Sequence, residues 1–167
     1  GQFALNPGAA KSLCSGAFVS GGAGEPVLEE SDEEYLVRVN GGEIRFDRSS
    51  RQISSYMMHD TELLIEGPGP NFWRAPTEND FGNRMDVRCA LWKEFGNELV
   101  LESMAPARMD SVVVLVAEYS HPEHASLYKL SYHCNPAGEI LVSADFEPGR
   151  DDFPVVPRFG MQMVLPE

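Results

Sequence analysis

The feature that most constrains the fold of this chain is a repeated alternation of apolar and polar residues in short runs. Such alternation is typical of half-buried β-strands, because successive side chains point to opposite faces of a sheet. Turn-forming residues separate the runs, as at Asn40-Gly41-Gly42, which favours antiparallel strands joined by hairpins. The apolar positions of these runs are Tyr35, Val37, Val39, Ile44, Phe46, Leu99, Leu101, Tyr128, Leu130, Tyr132, Ile140, Val142, Ala144, Phe146, Met161, Met163 and Leu165.

The remaining segments complete the prediction of an all-β fold. Further strands are predicted at about 52–58 and 62–66, and the continuous apolar run 112–117 indicates a strand covered on both faces. A long loop is predicted at 67–86, followed by one short helix. Asp86 would cap that helix, Gly96 would end it, and its apolar stripe would be Val87, Leu91 and Phe95.

About eight to ten strands with one short helix predict an antiparallel sandwich of large curved sheets. Residues 1–30 are rich in Gly, Ala and Ser, so they are interpreted as a linker or the tail of a preceding domain, with a short strand at 14–20. Residues 31–167 are expected to form the domain. The acidic run at its entry is expected to be solvated, and it consists of Glu25, Glu29, Glu30, Asp32, Glu33 and Glu34.

Composition excludes some classes of partner and site. The 167 residues include 13 basic and 26 acidic ones, a net charge of −13, which argues against binding to nucleic acid. No run of about 18 apolar residues occurs, so no membrane partner is expected. Three widely spaced cysteines, Cys14, Cys89 and Cys134, are expected to be reduced thiols. His121 and His124 indicate a hairpin tip rather than a metal site.

The segment 71–82 concentrates the polar and aromatic residues that usually mark a site. A tryptophan beside charged groups could stack on a sugar ring, and Glu78 with Asp80 could act as an acid and a base in glycoside hydrolysis. A structural role is favoured, because two carboxylates two residues apart on one loop are a weak basis for catalysis. In this interpretation the segment is an internal brace and anchor, made of Phe72, Trp73, Arg74, Asn79 and Asp80.

The same segment, Asn-Phe-Trp-Arg-Ala-Pro-Thr-Glu-Asn-Asp-Phe-Gly, closely resembles the Arg-Ala-Pro-x-Asp-Asn-Asp-x-Gly signature of large family 2 β-galactosidases of the LacZ type. Glu78 stands where that family commonly has Asp. The helix at 90–96 is similar to a tryptophan-bearing helix of the family, and 157–161 resembles its Pro-Arg-x-Gly strand. Residues 2–5 resemble the last strand of the immunoglobulin-like domain that precedes the small-chain domain.

The resemblance implies a partial β-supersandwich similar to galactose mutarotases, from an enzyme that hydrolyses terminal β-galactosides with retention. The catalytic glutamates and the magnesium and sodium ligands of that family lie on or near a TIM barrel, so no catalytic residue, metal ligand or cofactor is expected in this chain. Its expected partners are the catalytic barrel and the remainder of the same polypeptide, with galactoside bound only by the intact enzyme. A bacterial cytoplasm or periplasm is the implied location.

The resemblance also implies a substrate-access loop at the mouth of the active site, formed by Phe81, Gly82, Asn83, Arg84 and Met85. The isolated chain is expected to be inactive, and to dimerise through exposed sheet edges at the strand 161–165 because its domain would be incomplete. The alternative, a free-standing carbohydrate-binding module, would use Trp73 and Trp92 as an aromatic platform.

Overall fold

The computed structural model describes residues 24–49 and 52–167, and it has the predicted all-β architecture. The predicted strand at 14–20, the immunoglobulin-like strand at 2–5 and Cys14 lie outside the described residues. The strands are β1 (Val27–Glu30), β2 (Glu34–Val39), β3 (Gly42–Asp47), β4 (Ile53–Met58), β5 (Thr61–Glu62), β6 (Glu66–Asn71), β7 (Val100–Met109), β8 (Val112–Ser120), β9 (Leu127–Cys134), β10 (Ile140–Glu147) and β11 (Gly160–Val164).

All strand pairs are antiparallel, and the described residues form two sheets. The larger sheet has the order β1-β2-β3-β4-β6-β11, with β5 paired to β4, and the smaller one has the order β10-β9-β8-β7. Most neighbours are consecutive in the chain, as expected for hairpins. There are two exceptions. Strand β4 also pairs with β6, past the short strand β5, and β11 pairs with β6 across the intervening small sheet and helices.

The core lies between the two sheets and uses the predicted alternating positions. Val37, Ile44 and Phe46 of the larger sheet and Leu130 and Tyr132 of the smaller one are fully buried. The rings of Phe46 and Tyr132 meet edge to face, with centroids 5.1 Å apart. Burial of large apolar side chains from both sheets is the main force that holds such a sandwich together.

Strand β1 lies in the segment that the sequence analysis assigned to the linker. It pairs along its whole length with β2, so the folded sheet already begins at Val27. Its side chains are mostly exposed, and arginines from the sheet hold them by ion pairs, including Arg38 with Glu29 at 2.9 Å and Arg48 with Glu30 at 3.2 Å. The acidic run is therefore solvated, as predicted, but part of it is a charged edge strand.

Strand β6 was missed, because the predicted long loop at 67–86 includes most of it. Its sequence, Glu-Gly-Pro-Gly-Pro-Asn, contains two prolines and no alternation of apolar residues. The pairing that makes it a strand comes from β11, where Met161 faces Pro70 and Gln162 faces Gly69. That partner lies some ninety residues further along the chain, so no local pattern could reveal it.

The prediction of one short helix is corrected, because the described part of the chain has three: α1 (Glu78–Gly82), α2 (Met85–Arg88) and α3 (Trp92–Glu98). The predicted stripe is also partly wrong, because Val87 is 56% exposed. The buried stripe is formed instead by residues three or four positions apart, from Met85 to the end of α3. These are Met85, Cys89, Trp92, Phe95 and Leu99.

Gly96 lies inside α3 rather than at its end, and it allows the helix to approach β6 closely. A Cβ atom at this position would lie 2.6 Å from the backbone oxygen of Pro70. Because neither the helix backbone nor the strand can move freely, the absence of a side chain at Gly96 sets the distance between α3 and β6.

We expect Gly96→Ala to lower the free energy of unfolding by about 1–3 kcal/mol, because the added methyl group overpacks this contact. Gly82→Ala is the matched control, since it also lies in a short helix and its Cβ would have no neighbour within 4 Å. The control should be neutral or gain up to about 1 kcal/mol from helix propensity. Urea unfolding of both variants checks this, and equal effects would contradict the close-contact argument.

Candidate functional site

The candidate site is the segment that connects β6 to α1 and α2, together with the surfaces that it touches. Phe72 anchors its beginning in the core with 1% of its surface exposed. Its ring lies 4.9–5.9 Å, centroid to centroid, from those of Trp92, Phe95, Tyr128, Phe146 and Phe159. These rings come from α3, the small sheet and the approach to β11, so a single residue ties the segment to three parts of the fold.

A partly buried ion pair closes the segment. The Arg74 guanidinium donates from Nη1 to Asp80 Oδ2 at 2.6 Å and from Nη2 to Asp80 Oδ1 at 2.9 Å, which is a two-point pairing. Arg74 Nε also donates to the backbone oxygen of Pro157 at 3.3 Å. The pair therefore links the start of α1 to the chain just before β11.

Asp80 also caps the first turn of α1. Its Oδ2 atom accepts from the backbone N–H and from the hydroxyl of Thr77, both at 2.8 Å. Thr77 is the N-cap residue and has an extended backbone, as in a capping box. Asp80 thus accepts four hydrogen bonds while it is nearly buried, which explains why a carboxylate is tolerated there.

The electrostatics of this pair rule out a role for Asp80 as a proton donor near neutral pH. The Arg74 guanidinium, with the amide and hydroxyl of Thr77, holds the pKa of the Asp80 carboxyl well below its usual range. Both carboxylate oxygens are occupied by these donors, whereas Glu78 is exposed. The arrangement is that of an internal brace, not of a pair of catalytic carboxylates.

The other residues of the predicted brace occupy different positions. Trp73 is half-buried, packs against the core, and donates its backbone N–H to Asn71 Oδ1 at 2.8 Å. Asn79 is exposed, and only its backbone oxygen is engaged, by the N–H of Asn83 at 3.1 Å. The structure brings together Arg74, Thr77 and Asp80, and it leaves the side chain of Asn79 outside this group.

The predicted access loop divides into an exposed part and a buried residue. Phe81 is 57% exposed at the end of α1, and Gly82, Asn83 and Arg84 are also exposed. Arg84 has a left-handed backbone conformation, with φ at 59°, which turns the chain sharply between α1 and α2. Met85 is 5% exposed and belongs to the core, so it cannot line a surface.

Trp92 does not form the aromatic platform that a carbohydrate-binding module would need. It is 1% exposed, stacks on Phe72 at 5.5 Å, and donates its indole N–H to the backbone oxygen of Pro154 at 3.0 Å. Trp73 is half-buried and borders a concave surface, whereas Trp92 lies beneath that surface with 1% of its area exposed.

That surface is a groove of about 360 Å³ beside the braced segment, which the sequence analysis did not identify. It lies between α3, the end of β6 and the start of β11. Its polar or charged lining residues are Asn71, Trp73, Arg74, Lys93, Asn97, Arg158 and Gln162. Lys93 and Arg158 are far apart in the chain. They line the same groove because α3 packs closely against β6 and β6 pairs with β11.

The remaining metal-binding and redox candidates are structural. Cys89 and Cys134 are free and buried, and burial raises the pKa of the Cys134 thiol to about 12. His121 is buried beside Glu98, with Nε2 and Oε2 3.1 Å apart, while Nδ1 of His121 accepts from the backbone N–H of Glu123. Within residues 24–49 and 52–167, no group of three or more His, Cys, Asp or Glu residues could hold a metal ion. In the same ranges, the helices are too short and too polar to cross a membrane.

Comparison with known proteins identifies this architecture and its braced segment. The family described as beta galactosidase small chain matches residues 38–167. This range includes the whole candidate site. It also includes both sheets, except for β1 and the first residues of β2. An all-β sandwich domain of a glycosidase is thus the class to which the fold and site point. The chain belongs to the β-galactosidase small-chain family.

Individual relatives support the same assignment. The chain is 32% identical over 146 residues to a β-galactosidase of Priestia megaterium, covering 86% of this chain and 14% of that protein. It is 30% identical over 145 residues to one of Lactobacillus delbrueckii subsp. bulgaricus, with the same two coverages. It is 26% identical over 133 residues to a β-galactosidase small subunit of Latilactobacillus sakei, covering 67% of this chain and 42% of that subunit. The chain therefore spans a minor part of the length of these relatives.

We expect Arg74→Met to lower the melting temperature by several degrees, because it leaves the Asp80 carboxylate without its main partner. The control is Arg84→Met, since Arg84 is an exposed arginine whose side chain has no ion pair among the described residues. Thermal unfolding followed by circular dichroism measures both. A melting temperature unchanged by Arg74→Met would show that the pair does not brace the fold.

The stabilisation by this pair should also depend on pH. Because the pKa of Asp80 is lower in the folded chain, its contribution is fully present above the ordinary value of 3.8 and is lost as the pH falls from there through the folded value. The difference in melting temperature between the unmodified chain and Arg74→Met should therefore be constant from about pH 7 to about pH 5, and shrink below about pH 4. A difference that shrinks already near pH 6 would point to a histidine instead.

Proposed function

We propose that this chain is a non-catalytic structural domain of a family 2, LacZ-type β-galactosidase, whose catalytic part hydrolyses terminal β-galactosides with retention. The observation that carries the proposal is the match of the small-chain family over residues 38–167, with the braced segment inside it. The domain is proposed to resemble galactose mutarotases in fold and to pack against the catalytic barrel of the same polypeptide. Its function there is to hold a shaped surface next to the barrel.

The chemistry of the braced segment supports a structural rather than a catalytic role. Asp80 is fully engaged by Arg74 and Thr77, and its lowered pKa leaves no proton to transfer near neutral pH. Glycoside hydrolysis needs two carboxyl groups on either side of the scissile bond, one of them protonated. The magnesium and sodium ions that the resemblance implies are proposed to bind to the catalytic part.

The proposal is tested by assaying the purified 167-residue chain on o-nitrophenyl β-galactoside, beside a full-length relative measured under the same conditions. We expect no hydrolysis above the buffer rate by the chain, because the proposal places both catalytic glutamates on the barrel. Hydrolysis by the chain that survives further purification would overturn the non-catalytic role.

The exposed part of the access loop, Phe81 to Arg84, is proposed to lie at the mouth of the active site in the intact enzyme. It runs from the end of α1 to the start of α2, so Arg74 and Asp80 hold its base while Phe81 and Arg84 remain exposed. Asn83 is held by Arg88, whose Nη2 donates to Asn83 Oδ1 at 3.0 Å. A short exposed segment on a rigid base is suited to move over a substrate.

We expect Gly82→Ala in the full-length enzyme to change kcat and KM together, because it restricts the backbone of this segment. Since a Cβ at Gly82 would touch nothing within 4 Å, the stability of the enzyme should be unchanged, which separates gating from unfolding. Unchanged kinetics on a chromogenic galactoside would argue against a gating role.

The isolated chain is further proposed to dimerise through the edge strand β11. This strand pairs only with β6 among the described residues, and Met163, Val164 and Leu165 are 43–59% exposed. An unpaired, apolar sheet edge is a template for pairing with a second chain.

We expect Met163→Lys to shift the chain towards monomer, because a charge on an edge strand opposes such pairing. Val87→Lys, at an exposed apolar position on α2, serves as the control and should leave the association unchanged. Light scattering over a range of concentrations measures this. A strict monomer for the unmodified chain would contradict the proposal.

A further inference from the structure

The groove beside the braced segment has an unusual charge for this chain. The chain carries 26 acidic and 13 basic residues, yet three basic residues and no acidic residue line the groove. Arg74 is neutralised by Asp80, so the net positive charge comes from Lys93 and Arg158. Neither of these two takes part in an ion pair within residues 24–49 and 52–167.

Two amides supply donors in the same groove. Asn71 Nδ2 donates to Gln162 Oε1 at 3.1 Å, across the pair of strands β6 and β11. This bond uses the oxygen of Gln162, and no acceptor for its Nε2 lies among residues 24–49 and 52–167, so its Nε2 donors can bind a ligand. Asn97 is held by Glu94, whose Oε2 accepts from Asn97 Nδ2 at 2.9 Å, and Glu94 itself does not line the groove.

Two glycines give the groove its shape. Gly96 lets α3 approach Pro70, which forms part of the lining. Gly160 leaves space for Arg158, since a Cβ there would lie 3.3 Å from Arg158 Nε. The side chain of Arg158 thus lies back over the start of β11.

The size and the aromatic wall of the groove suit a single sugar ring. Its volume of about 360 Å³ falls at the lower end of the range for small-molecule sites. Trp73 is half-buried and held by the core on one side, so it offers a fixed apolar surface on the other. Cations, free amide donors and an indole together match a ring that carries hydroxyls and one anionic group.

We propose that this groove binds a sugar-sized anion, a monosaccharide that bears a carboxylate or a phosphate ester, with Lys93 and Arg158 on the anionic group and Gln162 and Trp73 on the ring. This goes beyond the structural role proposed above and does not rest on it, because every residue involved belongs to this chain. Binding to the chain tests the groove, whereas hydrolysis by the full-length enzyme tests the proposed function.

The experiment titrates the 167-residue chain with galacturonate and with galactose 6-phosphate, followed by NMR of ¹⁵N-labelled protein. Galactose is the neutral control, and acetate and inorganic phosphate control for the anionic group alone. We expect at least one sugar anion to shift the Trp73 indole signal and to bind more tightly than galactose, acetate or phosphate. The two sugar anions distinguish a carboxylate from a phosphate ester as the preferred group, and added salt should weaken binding.

The double variant Lys93→Gln, Arg158→Gln should lose at least about tenfold in affinity for the bound sugar anion, since it removes two charge-assisted contacts. The matched control is Lys129→Gln, Arg108→Gln, which removes the same charge from residues that pair with Glu118 and Glu25. It should keep the original affinity, and both variants should keep the original melting temperature.

Several results would overturn the proposal. One is the absence of any shift with both sugar anions at millimolar concentrations, and another is equal loss of affinity in the two double variants. Galactose bound as tightly as the sugar anions would show that charge does not select the ligand. Acetate or phosphate bound as tightly would show that the ring is not recognised.

Discussion

The burial of Phe72 is the interaction on which the rest of the candidate site depends. Its ring touches aromatic rings from α3, β9, β10 and the segment before β11, so it joins parts of the chain that are distant in sequence. Large aromatic side chains contribute more to such contacts than any other residues, through the area they bury and their edge-to-face geometry. The polar segment that follows is ordered because its first residue is fixed in the core.

The ion pair of Arg74 and Asp80 extends this order to the surface. An isolated charge near the core would be costly, and the two-point pairing with the Thr77 cap removes that cost by engaging both carboxylate oxygens. Because Arg74 also binds the backbone before β11, the pair closes one side of the groove. Asp80 therefore organises two neighbouring surfaces, the exposed turn at Phe81–Arg84 and the cationic groove, without reacting itself.

A substantial part of this arrangement could be predicted from the sequence. The alternation at Val37, Ile44 and Phe46 identifies core-facing strand positions, since a side chain in a sheet must face either the core or the solvent. The residue types in the segment 71–82 likewise indicated an internal brace that includes Arg74 and Asp80. The helix prediction was less accurate, because Met85, Cys89 and Trp92 form the buried stripe while the chain turns twice between them.

The sequence by itself determined the all-β class, the positions of most hairpins and the brace formed by residues within six positions of each other. These features depend on periodicity and on interactions between residues that are close in the chain. Only the tertiary structure decided that the proline-rich segment 66–71 is a strand, that Trp92 is buried, and that Lys93 and Arg158 line one groove. Each of these depends on contacts between residues that lie too far apart in the chain for any local pattern to record them.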